Sequence, residues 1–467
     1  MMTSSQFAGI RFFRNTLVLA TSFALLSVMT LSGLASAITP STTAVTSITV
    51  DTGPSSVAVS PDGSSVWVTN FNSDTVSRIN TATNAVTSIT VDTGPSSVAV
   101  SPDGSSVWVA NFNSDTVSRI NTATNTVTSI TVGNGPSSVA VSPDGLSIWV
   151  AVRNQNGVAV VSRINTTTEA VTSITVGFYP SSVVVSPDGS SVWVTNLINV
   201  SRIDTTTDAV TVITVGTYPF IVAVSPDGSS VWVTNYQSGT VSRIDTATNV
   251  VTSITVGSSP YGVVVSPDGS SVWVTNQISG TISRIDTATN AVTSIAVGAS
   301  PWDVVVSPDG SSVWVTNQGS GTVSRIDTAT NAVTSIAVGA SPSGVVVSPD
   351  GSSVWVTNQG SGTVSRITFP PQPPANVTAT PGNAQATISW TAPTNTGGSP
   401  ITGYTATASV GGQSCTTTTA TSCTISGLTN GTTYYVSVTA TNAVGVSDPS
   451  VVAVTPTSDP VAPAFTG

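Results

Sequence analysis

The chain has no histidine and no lysine, one glutamate (Glu169) and two cysteines in 467 residues. Each absence excludes chemistry. Without histidine there is no Ser-His-Asp triad, no Cys-His pair and no histidine metal site. Without lysine there is no Schiff base and no phosphate-loop lysine. Charged residues make up only 7% of the chain, and its 11 cations, all arginine, face 21 acids. An acidic surface without clustered cations suits neither nucleic acid nor anionic lipid. The chain nevertheless has the means to fold. Residues of hydrophobic type reach 39%, and valine, isoleucine and tryptophan recur in strand-like alternation.

What is present is one unit repeated eight times. Its anchor is Ser-Pro-Asp-Gly, with the proline at Pro61, Pro102, Pro143, Pro187, Pro226, Pro267, Pro308 and Pro349. The successive steps are 41, 41, 44, 39, 41, 41 and 41 residues. A period near forty marks a stacked or radial repeat. Each unit reads as four short strands, in the first copy 57–60, 66–70, 75–79 and 85–91. Asp-Gly between alternating apolar runs is a hairpin signal. Four antiparallel strands per forty residues make one propeller blade.

The ends of the array predict a sealed ring. The last copy, 342–367, stops after three strands, and an orphan fourth strand, 44–50, precedes the first copy. If 44–50 completes the last blade, no sheet edge stays open. The expected fold is therefore all-β, an eight-bladed β-propeller over 38–368, its N-terminal strand closing the last blade.

The second strand reads Trp-Val-Thr-Asn at 67–70, 193–196, 232–235, 273–276, 314–317 and 355–358, and departs at 108–111 and 149–152. This motif resembles the YVTN family of β-propeller repeats. The resemblance covers about 44–367 and implies the fold; propellers of that family commonly have seven blades, so a count of eight departs from it. Among proteins of similar propeller are streptogramin lyases, whose proposed acid–base chemistry uses histidine. A chain without histidine lacks that equipment.

The composition then changes. Prolines at 370, 371, 373 and 374 predict an extended linker over 369–374. Segment 375–457 resembles a fibronectin type III domain through Trp390, Tyr404 and the stretch 428–434, which is similar to that family's tyrosine corner. Cys415 and Cys423 are candidates for one disulfide, stapling a hairpin. Residues 458–467 read as an unstructured tail.

At the N-terminus, Arg11 and Arg14, an apolar run over 17–29 and Ala35-Ser36-Ala37 predict a cleaved export signal, 1–37. The rival is an uncleaved anchor, for which the run is short. The expected product is a monomeric protein, secreted or at the cell surface, with no membrane insertion after cleavage.

Most repeated polar residues fit the scaffold. The eight turn aspartates, from Asp62 to Asp350, spread around a wide ring, whereas calcium needs six to eight converging oxygens; we expect no metal site and no cofactor. The eight periodic arginines, from Arg78 to Arg366, are expected to clasp adjoining blades, and the eight tryptophans, from Trp67 to Trp355, to fill the core. The candidate site is where the copies differ. Alternate turns of a blade emerge on opposite faces, so both variable loop sets fall on one face. There Phe178, Tyr179, Tyr218, Phe220, Tyr236, Tyr261, Trp302 and Asp303 gather near the channel mouth. Aromatics on a Ser/Thr/Asn-rich rim suit an extracellular glycan or protein partner. The expected role is a non-enzymatic binding scaffold; a lyase at the mouth and a structural surface-layer component are the alternatives.

Overall fold

The computed structural model describes residues 43–153 and 159–458. The expected signal segment, 1–37, and residues 459–467 of the expected tail lie outside them. The described residues contain strands and no helix.

The first unit sets the pattern. β1 (Ala44–Thr49) is followed by β2 (Pro54–Val59), β3 (Ser65–Asn70), β4 (Thr75–Asn80) and β5 (Val86–Thr90), and β2 to β5 form one antiparallel meander. Among the described residues up to 368 there are eight such four-stranded sheets. The first strand of each packs against the first strands of its neighbours, and Pro342–Val347 returns to β2, so the sheets surround a channel as propeller blades do. β1 pairs with Thr363–Thr368 along its whole length, from Ala44↔Thr368 to Thr49↔Thr363. The last sheet is thus built from both ends of the array.

The blades are held together in layers. The second-strand tryptophans are at most 2% exposed. They are the large side chains that let a serine-rich repeat bury a core, each worth about 5 kcal/mol of gross transfer energy. Over every one of them lies the third-strand arginine of the same blade, its guanidinium carbon 5.0 to 5.6 Å from the indole centre. The guanidinium then reaches the next blade. Arg78 Nη1 donates to Thr122 O at 2.6 Å and Asn125 Oδ1 at 3.1 Å. Arg202, Arg243 and Arg284 repeat this on Asn249, Asn290 and Asn331. Arg119 and Arg163 instead meet Glu169 and Asp208 as ion pairs of 3.2 and 2.8 Å. The accepting residue also sits at positive φ in its turn (Asn125 at 58°), a conformation asparagine and aspartate tolerate best.

The Ser-Pro-Asp-Gly turn closes on itself. Ser60 Oγ donates to Asp62 Oδ1 at 2.6 Å and accepts the N–H of Ser65 at 3.0 Å. In Asp188, Asp227 and Asp268 the serine hydroxyl two residues back, helped by the serine two residues on, holds the carboxyl down to about 2. These carboxylates are committed to their turns, and no cluster of three metal-ligating side chains occurs among the described residues.

The C-terminal domain is a sandwich of three and four strands around Trp390, Tyr404, Ile388 and Leu428. Thr429 N donates to the Tyr434 hydroxyl at 2.9 Å, which is the tyrosine-corner bond. Cys415 and Cys423 are disulfide-bonded. The bridge does not staple a hairpin of paired strands: Ser414–Thr417 belongs to one sheet and Ser422–Ser426 to the other, so it ties the two layers at their edge.

The segment 369–374 is packed rather than free. The last blade has no turn after its third strand, and Phe369 stands there instead. Its ring lies 5.3 Å from Trp314 and 5.6 Å from the guanidinium of Arg325, which has no further turn to clasp. Phe369 N donates to Gly397 O at 2.7 Å, and Asn442 Nδ2 donates to Phe369 O at 2.8 Å. Gly397, at φ 75°, is required here, since a Cβ would fall 2.0 Å from Phe369 O. The second domain therefore caps the last blade on the Ser-Pro-Asp-Gly face.

Trp232 is fully buried. Trp232→Ala should cost about 3–5 kcal/mol and lower the melting temperature by several degrees in a calorimetric scan. An unchanged melting curve would contradict the packing role.

Candidate functional site

The opposite face carries the candidate site, and a backbone irregularity accompanies it. Strand pairing slips between Pro219 and Val222, Pro260 and Val263, and Pro301 and Val304. Such a bulge re-aims the side chains it contains. The bulged pairs are Phe220–Ile221, Tyr261–Gly262 and Trp302–Asp303. The threonine of Trp-Val-Thr-Asn takes the N–H that the bulge frees. Thr234, Thr275 and Thr316 Oγ1 accept from Ile221, Gly262 and Asp303 N at 3.1, 2.8 and 2.9 Å. The same hydroxyls donate onward to the next blade, Thr234 to Tyr261 O at 2.9 Å and Thr275 to Trp302 O at 2.8 Å. Where the motif has alanine, at Ala110 and Ala151, pairing resumes one residue earlier, at Ser97 and Ser138. The longer bulge occurs only in blades that carry the threonine, although in the blade of Thr195 pairing already resumes at Ser182.

Five of the eight expected residues come together with Asp303 beside them. Tyr261 lies 4.0 Å from Trp302 and 4.6 Å from Phe220, ring centre to ring centre. Tyr236 lies within 6.5 Å of Phe220, Tyr218 and Tyr261, and its hydroxyl donates to Gln277 Oε1 at 2.9 Å. Phe178 and Tyr179 stand apart, 56% and 55% exposed, with no ring contact to this wall among the described residues.

Tyr261, Trp302 and Asp303 line a cavity of about 400 Å³ in the channel. Its other side is serine, including Ser55, Ser96, Ser137, Ser181 and Ser343. One half of the mouth is aromatic and the other hydroxylic. Burial pushes the Tyr261 hydroxyl up, with the Asp303 charge adding to the effect and Arg153 opposing it. Asp303 Oδ1 accepts its neighbour Val304 N at 2.9 Å, and Oδ2 accepts Val345 N of the next blade at 3.0 Å. Burial outweighs both bonds and raises its carboxyl to about 6.

Arg153 is the residue that sequence reasoning passed over. It is the one arginine after residue 14 that falls outside the period. Its backbone N donates to Gly135 O at 3.1 Å, and its guanidinium lies 5.9 Å from the Phe112 ring. The signal was its aperiodicity.

Comparison with known proteins agrees with this architecture. Residues 40–252 match the family model of the Virginiamycin B lyase family, and 371–455 that of the fibronectin type III domain. No curated protein matches the chain. Among solved structures, hydrazine synthase of Kuenenia stuttgartiensis is similar at 23% identity and a TM-score of 0.51, over 68% of this chain and 96% of that one. A functionally unknown protein from Desulfotomaculum acetoxidans gives 15% identity and a TM-score of 0.49 over 60% and 96%. The first likeness is one of fold alone.

The position of Asp303 makes stability depend on pH. Its carboxyl rises from 3.8 to about 6 in the folded chain. Between those values the folded chain keeps a proton that the unfolded chain has released, so stability falls as pH rises from about 4 to about 6 and then levels. The full effect is on the order of 3 kcal/mol. Asp303→Ser should remove it, so the variant's melting temperature should gain on the wild type's across that window. Parallel pH profiles would contradict the burial.

Proposed function

We propose that this propeller with its fibronectin type III domain is a non-enzymatic binding scaffold, secreted or held at the cell surface, which takes an extracellular glycan at the channel mouth. The observation that carries the reading is the two-sided cavity. A sugar ring has apolar C–H faces and a hydroxyl rim. The faces of Tyr261 and Trp302, with Phe220 packed behind Tyr261, suit the first, and the serine half suits the second. The bulges and the threonine hydroxyls fix the aromatic backbone before any ligand arrives, which lowers the ordering cost of binding. The second domain docks on the other face, so it leaves the mouth open.

The match to the Virginiamycin B lyase family favours a second reading, a lyase at the same mouth. A general base must reach the proton it removes. Without histidine the chain offers Asp303, whose carboxyl titrates near 6, as the candidate. Its two oxygens are already engaged by Val304 and Val345 N–H groups, which makes it a weaker base for the purpose than a free carboxylate.

Calorimetric titration of the purified protein with cell-wall and matrix oligosaccharides tests the first reading. The double variant Tyr261→Ala/Trp302→Ala should lose about tenfold or more in affinity, equivalent to about 1.4 kcal/mol. Equal binding by wild type and double variant would exclude the aromatic wall, and product release from a bound ligand would favour the lyase.

A further inference from the structure

Asp303 exceeds what its place in the fold requires. In the first three blades the same position is serine, and Ser56, Ser97 and Ser138 Oγ accept the N–H of Val98, Val139 and Val183 at 3.3 to 3.4 Å. Two other blades place Ile221 and Gly262 there, with no side-chain acceptor at all. Asp303 makes the serine's bond, to Val345 N. A hydroxyl suffices for that bond, so the carboxylate adds a charge that the architecture does not use.

No protein cation offsets this charge. The ion pairs among the described residues are Arg119–Glu169 and Arg163–Asp208, both on the other face. Arg153, at this mouth, lies over Phe112. The strands packed against Asp303 are Pro260–Val265, Ser271–Asn276, Ser312–Asn317 and Pro342–Val347, and Tyr261 is the one titratable side chain they bring. A half-buried carboxylate held by two backbone N–H groups but facing no cation is costly to keep charged, and a cation supplied from outside relieves the cost. The wall beside it is of the kind that attracts cations: indole and phenol faces draw an ammonium group through their quadrupoles.

We propose that Asp303 is the counter-charge for an ammonium group, and that the mouth prefers an amino sugar whose amine is free. The sugar ring would lie on the aromatic wall, with its amine turned to Asp303. This assignment rests on the reading of the mouth as a glycan site.

The test titrates the full chain with two probes, the glucosamine hexamer and the N-acetylglucosamine hexamer, at pH 4.5 and 6.5, with the protonated fraction of the amine measured at each pH and the affinities referred to the ammonium form. Wild type should bind the free-amine hexamer at least fivefold more tightly at pH 6.5, and the preference should shrink at pH 4.5 as Asp303 takes up its proton. Asp303→Ser, which keeps an acceptor for Val345 N, should bind both hexamers alike with no pH dependence. Trp302→Ala should weaken both. Equal wild-type binding of the two hexamers, or a preference that survives in Asp303→Ser, would overturn the assignment and leave the glycan site standing. Binding of neither hexamer by wild type would remove the amino-sugar assignment; if the wider oligosaccharide titration is also blank, the glycan reading falls with it.

Discussion

The structure depends on one repeated contact: an arginine lying over a buried tryptophan in its own blade and reaching a turn of the next. Trp232 and Arg243 show it fully. The indole is out of water, the guanidinium lies 5.1 Å above it, and Nη1 meets Thr287 O and Asn290 Oδ1 of the following blade. One side chain thus covers a blade's core and fastens that blade to its neighbour. A planar guanidinium can do both at once, stacking through its face and donating through its edge. This is why a chain with so little charge still spends eight of the nine arginines among the described residues on scaffold.

Where the contact cannot be completed, the chain improvises. Arg325 finds no turn in the last blade and lies against Phe369 instead, while Arg366 reaches forward to Asn84 of the first blade and sideways to Gly398 O of the second domain. Ring closure and domain docking therefore share Arg366. The fibronectin domain occupies the place of a missing turn, and its position follows from that vacancy. On the other face the threonines tie blade to blade through their hydroxyls, so both rims are fastened and the mouth is held open between them.

Much of this was legible in the residues. The period, the tryptophan alternation and the displaced fourth strand define the ring because each is a local pattern with one geometric solution. The tyrosine corner and the two cysteines were readable for the same reason. The site was half legible. Aromatics at 220, 261 and 302 were visible as departures from serine, but the slip in strand pairing beside them and the packing of Phe220 behind Tyr261 are announced by no residue type. The threonines at 234 and 275 take the freed N–H, but Thr195 stands in a blade without the slip. Phe178 and Tyr179 share the composition of the wall but lie on an exposed loop outside it. Arg153 was hidden among arginines that serve the scaffold, and the docking of Phe369 depended on a neighbour far along the chain.

The central claim is that the regular repeat builds the scaffold and its irregular positions bind. The chain contains its own control, because other blades show what the regular residue is. A variant carrying Phe220→Ser, Tyr261→Ser, Trp302→Ser and Asp303→Ser would return four positions to the serine that the first four blades carry. Its far-ultraviolet circular dichroism and melting temperature should stay within a few degrees of wild type, while saccharide binding measured by calorimetry should vanish. Loss of folding, or binding that persists in the regularised chain, would contradict the account.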